Sequence, residues 1–192
     1  MTDDFQIASP KGSLWHRWDP HLHTPGTALN DQYEGADPWE SFLSGVEAVE
    51  PAVRGIGITD YYGIDNYIMV VEKQKRGRLS GVGLIFPNVE LRLATGAKAA
   101  AINLHLLFSP HDPDHIVQIR RFLTGLTFNF QGEDYRCQRS ELILLGRKHK
   151  PAATADDVAY REGVNQFKVN FTQLQKAWEA GSWVRENALG KH

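Results

Sequence analysis

Two histidines and an aspartate stand at alternate positions in Trp18-Asp19-Pro20-His21-Leu22-His23-Thr24. Imidazole nitrogens with carboxylate oxygens are the donor set of Zn, Mn and Fe sites, so the chemistry this spacing suggests first is metal binding. On an extended strand successive side chains point to opposite faces. Asp19, His21 and His23 then share one face, where both rings can reach one ion, and Trp18, Pro20 and Leu22 share the other. Asp19 is placed to orient a ligand histidine from behind as an acceptor. Asp60, Glu90 and His105 follow at the ends of, or within, later strand-like segments. Each has an ordinary reading alone: a turn aspartate, a partner for Arg92, a satisfied core histidine. Their joint recurrence is what singles them out, because in parallel α/β architectures the strand carboxyl ends converge on one rim.

The elements that would carry them follow from pattern. Trp15 to His23 alternates with the two-residue period of a strand, and residues 24–37 are rich in Pro, Gly, Asn and Asp, as loops are. Asp37-Pro38-Trp39-Glu40 is a helix start with a capping aspartate, proline in the first turn and a glutamate to complete a capping box. Phe42, Leu43, Val46 and Val49 continue it as an apolar stripe until Pro51. Short strands are expected at Gly55–Asp60, Val82–Phe86 and Ala99–Phe108, with a helix over Asp65–Lys75 and another from Asp112-Pro113-Asp114 to about Leu123. Further helices are expected near Ser140–Leu145, Ala155–Gly163 and Thr172–Glu186. Strand–helix alternation over residues 15–125 implies βα units, a mainly parallel sheet and a more helical C-terminal third. Residues 1–13 read as a polar leader and residues 14–192 as one domain.

Composition bounds the function. The chain has 192 residues, 42% hydrophobic and 23% charged, with a net charge of −2, so it has no global pull toward nucleic acid. The basic runs Lys73–Arg78 and Arg147–Lys150 read as solvated helix ends or loops. Cys137 is the single cysteine, which excludes an internal disulfide and a cysteine-rich zinc module, and no base stands near it to make a nucleophile. No stretch reaches the roughly 20 apolar residues of a membrane span, and a reduced, cytoplasmic protein is expected. Gly77-Arg78-Leu79-Ser80-Gly81-Val82-Gly83 lacks the Gly-Lys-Ser/Thr ending of a phosphate-cradling loop. His16, His149 and His192 read as exposed, and His111 and His115 as flanking a helix start.

Taken together, these segments resemble a known family. Trp18–Thr24 is similar to the first motif of the PHP (polymerase and histidinol phosphatase) domain, Gly57-Ile58-Thr59-Asp60 to its second strand, Phe86-Pro87-Asn88-Val89-Glu90 to the segment supplying a ligand glutamate, and Asn103-Leu104-His105-Leu106-Leu107 to the strand with its next ligand histidine. The resemblance covers roughly residues 12–110. It implies a distorted (β/α) barrel, partial in this chain, and a site of several divalent ions (Mn, Zn or Fe) that hydrolyses phosphate esters. His21, His23, Glu90 and His105 would be metal ligands, and Asp60 or Asp19 would orient a ligand or the attacking water. The leader Gly12–Asp19 and the phrase Ile58–Ile64 look most like the N-terminal domain of TrlF-type PHP-plus-ATPase proteins of bacterial defence. That implies a nuclease acting on DNA or RNA, with an ATPase domain or subunit as partner, and leaves an oligomer open. The pattern departs in three places. Tyr61 stands where the family has a histidine, residues 25–30 lack a further histidine, and no Asp-x-His follows His105. The departures keep two alternatives in view: a degenerate PHP module that docks to and regulates an ATPase, and a small-molecule phosphatase. They also imply the front portion of a longer protein, or a shortened relative that borrows ligands from a partner.

Overall fold

A computed structural model describes residues 15–97 and 100–189. The polar leader expected over residues 1–13 lies outside the described residues. The chain runs β1 (Arg17–Leu22), α1 (Pro38–Ala48), β2 (Val53–Tyr61), α2 (Asp65–Lys75), β3 (Leu84–Ala97), β4 (Ala100–Phe108), α3 (His115–Thr124), β5 (Thr127–Phe130), β6 (Glu133–Arg136), α4 (Arg139–His149), α5 (Asp156–Gln166), α6 (Phe171–Ala180), α7 (Ser182–Asn187) and β7 (Ala188–Leu189). This is a mixed α/β arrangement around a curled five-stranded sheet of order β1-β2-β3-β4-β7. Among the described residues β1 and β7 do not pair, so the sheet stays open. No described helix is long and apolar enough to cross a membrane.

The expected mainly parallel sheet needs correction. β1–β2 and β2–β3 are parallel, but β3–β4 and β4–β7 are antiparallel. A parallel return needs a crossover of a dozen residues or more, and β3 leads into β4 with no helix between them. Residues 87–91, expected as a segment after a strand, are the middle of β3 itself. The hairpin β5–β6 went unread in the sequence. Its turn places Gln131 at φ 52 and Gly132 at φ 84, the two positive angles a tight two-residue hairpin turn requires. The helix expected over Thr172–Glu186 is two helices, divided at Gly181, whose backbone is extended (φ −95, ψ 95). Asp37 caps α1 as expected, accepting from Glu40 N at 2.9 Å, but Glu40 does not close the box. Its carboxylate receives Arg78 and Ser44 instead.

Strand parity divides the sheet into two unlike faces. Register pairs Ile56 with Ile85, Asp60 with Val89, Val89 with Leu106 and Leu91 with Leu104. Ile56, Ile58, Val89, Leu91, Leu106 and Phe108 are buried among Tyr67, Val70, Ile119, Leu142, Leu145 and Val164 of the helices. Burial of each such side chain contributes about 1.5–3 kcal/mol, which anchors the helical layer to this face. α4 and α5 meet backbone to backbone: a Cβ on Gly146 would lie 1.8 Å from Ala159 O, and one on Gly163 1.8 Å from Leu142 O. The other face, with Gly55, Gly57, Thr59, Tyr61, Asn88, Glu90, Asn103 and His105, is polar. β1 pairs with β2 as an edge strand of the sheet, and an irregularity between Asp19 and Leu22 sets two residues of β1, Pro20 and His21, against the single Gly57 of β2.

Candidate metal centre

On the polar face the donor atoms of three residues converge. His21 Nε2 lies 3.0 Å from His23 Nε2, and Glu90 Oε2 lies 3.8 Å from the first and 3.5 Å from the second. These three are the group of candidate metal ligands found among the described residues. An ion bound at about 2.0–2.1 Å with tetrahedral angles holds its donors about 3.3–3.4 Å apart, so the triangle matches one face of such a shell. Glu90 is 3% exposed and its two oxygens differ. Oε1 accepts from Asn103 Nδ2 at 2.6 Å, whereas Oε2 is buried with no hydrogen-bond partner. A buried carboxylate oxygen left without a donor costs about 1–3 kcal/mol or more, and a cation shared with two imidazoles is the partner its surroundings fit. Two imidazoles and a carboxylate suit Zn, Mn or Fe.

The β1 irregularity builds this triangle, and it corrects the parity expected for the first motif. Trp18 and Pro20 do not form a core face. Trp18 is 54% exposed and lies over Gly55, its ring 6.4 Å from that of Phe86. Pro20 turns its carbonyl to the site face, where it accepts from Asn88 Nδ2 at 2.9 Å. Proline has no N–H to lose and so tolerates the break in the ladder. Asp19 does not reach a histidine ring: Oδ1 accepts from the backbone N of His21 at 3.1 Å, pinning the turn that delivers His21.

His105 stands beside the triangle, its ring centroid 4.5 Å from that of His21. Asn88, which the sequence reading did not single out, sets its tautomer. Asn88 Nδ2 donates to Pro20 O and to Thr59 Oγ1, at 2.9 and 3.0 Å, and a carbonyl can only accept. Asn88 Oδ1 therefore faces His105 Nδ1 at 3.2 Å, so Nδ1 carries the proton and Nε2 keeps its lone pair. Burial lowers the pKa of His23 and of His105, with the Glu90 charge opposing, which favours the neutral imidazoles that bind metals.

Tyr61, in place of the expected histidine, stacks on His23 with centroids 5.6 Å apart and an interplanar angle of 11°. Its hydroxyl accepts from Asn30 Nδ2 at 2.8 Å, and burial together with the Glu90 charge pushes its pKa up to about 12. It is a neutral wall of the site. Thr27 Oγ1 lies 3.5 Å from His23 Nδ1.

Asp60 lies away from this cluster. Parity sends it to the helix-packed face, between Thr59 and Tyr61 on the polar one, and both its oxygens are taken by Asn66: Oδ2 by the backbone N at 2.8 Å, Oδ1 by Nδ2 at 2.7 Å. It anchors the start of α2. Burial raises its pKa to about 6, against the opposing hydrogen bonds from Asn66. A carboxyl whose folded pKa is raised stabilises the fold fully below its unfolded value near 4, and that contribution is lost as pH rises through about 6. Asp60→Asn is therefore expected to flatten stability between pH 4 and 7, removing a loss of up to about 3 kcal/mol. Urea midpoints at pH 4, 5.5 and 7 test this, and parallel wild-type and variant profiles would contradict it.

The remaining candidates are accounted for locally. His115 bonds Tyr67 Oη through Nε2 at 2.9 Å, and His149 pairs with Glu162 at 2.7 Å. Cys137 is buried and its pKa is raised by burial, so it is no nucleophile. Arg78, Arg147 and Lys148 of the basic runs pair with Glu40 and Glu47, Asp156, and Glu133.

No protein-family model and no curated protein matches the chain. A solved structure that does match is a Bifidobacterium adolescentis protein carrying a provisional assignment as a metal-dependent phosphoesterase. Identity is 13% and the TM-score 0.38, over 85% of this chain and 50% of that one. The chain thus spans about half the length of that structure.

Proposed function

We propose that this chain is a metal-dependent phosphoesterase. The observation that carries the reading is the buried, unpartnered Glu90 Oε2 facing the paired Nε2 atoms of His21 and His23. Those three residues would hold a divalent ion, and His105, with Nε2 free, offers a further nitrogen to the same site. A bound divalent ion lowers the pKa of its water toward neutrality and neutralises charge on phosphoryl oxygens. The chain's own residues do the rest. Asn103 holds Glu90 through Oε1 and leaves Oε2 for the ion. Asn88 fixes the His105 tautomer, Asp19 pins the backbone of His21, and Tyr61 walls His23 against water. Asp60 acts at one remove, by seating α2.

The finer reading is a nuclease. Its support is the open side of the site: His21 is exposed on an edge strand, with the half-exposed Trp18 three residues before it, which suits a polymer better than an enclosed metabolite. The resemblance of Gly12–Asp19 and Ile58–Ile64 to TrlF-type proteins extends this proposal to phage defence beside an ATPase, which co-purification would test. Tyr61 favours a second reading, a regulatory module with too few ligands for turnover.

Elemental analysis of the purified protein, with hydrolysis of bis-p-nitrophenyl phosphate and of DNA and RNA in added Mn, separates the two. Stoichiometric metal with hydrolysis lost in His21→Ala and His23→Ala is the expected result. Bound metal without turnover supports the module, and no bound metal in native protein refutes both.

A further inference from the structure

Beyond Glu90 the polar face continues onto two cations that the reading above leaves without a task. β2 ends at Tyr61, paired with Glu90. Past that point residues 167–169 take its place beside β3: Val169 N donates to Arg92 O and Ala94 N donates to Val169 O, each at 2.8 Å, and Leu93 pairs with Val169 in parallel. Phe167 and Val169 are fully buried in the core. Lys168, between them, points to the opposite face, and that is the face Arg92 shares with Asn88 and Glu90 by alternation. Arg92 follows Glu90 by two residues, about 7 Å along the strand.

Both cations turn onto the same neutral residue. Arg92 Nη1 donates to Asn165 O and Oδ1 at 2.9 and 2.7 Å, and Lys168 Nζ donates to Asn165 O at 2.5 Å and Phe167 O at 3.3 Å. Among the described residues neither forms an ion pair, unlike Arg78, Arg120, Arg147 and Lys148. Two half-buried like charges side by side raise each other's energy unless an anion joins them. Lys168 registers this, its pKa lowered to about 8 by burial first and Arg92 second. Only Nη1 of the Arg92 guanidinium is engaged, so its fork retains donors for a two-point contact with a phosphate.

We propose that Arg92 and Lys168 form an anion-receiving flank of the metal site that takes a phosphate group of the substrate. The proposal rests on the phosphoesterase reading for the word substrate, and its first test does not. Metal-free full-length chain is titrated with inorganic phosphate at low ionic strength and followed by 31P NMR. Lys168→Gln and Arg92→Gln are expected to weaken phosphate binding roughly 10-fold or more each, and Arg92→Lys to recover part of that loss. Equal phosphate affinity in wild type and Lys168→Gln, or no binding by wild type, overturns the proposal whether or not the protein hydrolyses anything. Thermal melts of each variant separate lost binding from lost fold, and metal content is expected to be unchanged.

With metal restored, KM is compared on p-nitrophenyl phosphate and on a short oligonucleotide. A rise confined to the monoester places the reacting phosphate on the flank, and a rise confined to the oligonucleotide places a phosphate neighbouring the scissile bond there. Unchanged KM on both, in a protein that turns both over, overturns the proposal.

Discussion

Glu90→Gln is expected to strip the metal and, in the same molecule, to raise the stability of the metal-free protein. The two effects have one cause. Glu90 Oε1 is held by Asn103, while the buried Oε2 faces His21 and His23 Nε2 at 3.8 and 3.5 Å with no donor of its own. In the glutamine variant Oε1 keeps the Asn103 bond. The amide NH2 then occupies the position of Oε2 and can donate to an imidazole nitrogen. The unsatisfied acceptor disappears, and with it a cost of about 1–3 kcal/mol. The same NH2 presents hydrogens where an ion needs a lone pair. Loss of a residue that merely orients a ligand costs about 10–100-fold in metal affinity, and loss of the ligand itself is expected to cost at least the upper end of that range. Calorimetry in chelator and elemental analysis without it read the two halves separately. A chelated variant less stable than wild type, or one retaining full metal, would contradict the assignment of Glu90.

Gly57→Ala is expected to be the most damaging single methyl addition on the sheet. A Cβ at Gly57 would lie 2.2 Å from Pro20 O and 2.7 Å from Phe86 Cε2. The first of these is backbone and cannot swing aside, so β1 must move off β2 by about 1 Å to reach ordinary contact. That displacement breaks the 2.9 Å bond from Asn88 Nδ2 to Pro20 O, and Asn88 is also what sets the tautomer of His105. Overpacking and one lost hydrogen bond together destabilise by about 2–4 kcal/mol, a melting-temperature drop of roughly 5–15 °C in a chain of this size. Metal content is expected to fall with it, since His21 and His23 ride on the displaced strand. Gly55→Ala is the control: its Cβ meets the Trp18 ring at 2.8 Å, and a half-exposed indole can rotate away. Equal losses in the two variants would show that the strand spacing does not set the site.

His21, His23 and Glu90 were legible as candidates because donor type is a local property and alternation brings the two rings of a His-x-His pair to one side, whereas the place of Glu90 in the middle of β3 was not. The capping aspartate of α1 and the span of α2 were legible for the same reason, while α3 begins at His115, three residues beyond the start expected at Asp112. Asp60 shows where such reading stops. Its position at a strand end is local, but the face it meets is set by pairing with β3, and alternation puts it with Val89 on the helix side while Tyr61 pairs with Glu90. Asn88 and Asn103 carried no signal because an amide side chain names no ligand chemistry of its own, and their roles exist only once β1, β2, β3 and β4 lie side by side.

By itself, then, the sequence determined the inventory: which residues are candidates to hold an ion, in what order the strands deliver them, and that the fold mixes strands with helices. The tertiary structure decided which of them meet. It made β3–β4 an antiparallel pair, so that Glu90 and His105 face each other across the ladder. It let Gly57 bring the Pro20 carbonyl into the site, and it carried Lys168 from the far side of α5 to stand beside Arg92. Ligand chemistry is a property of single side chains and survives in a string of letters. Distance is a property of packing, and register across strands far apart in the chain is where it is set.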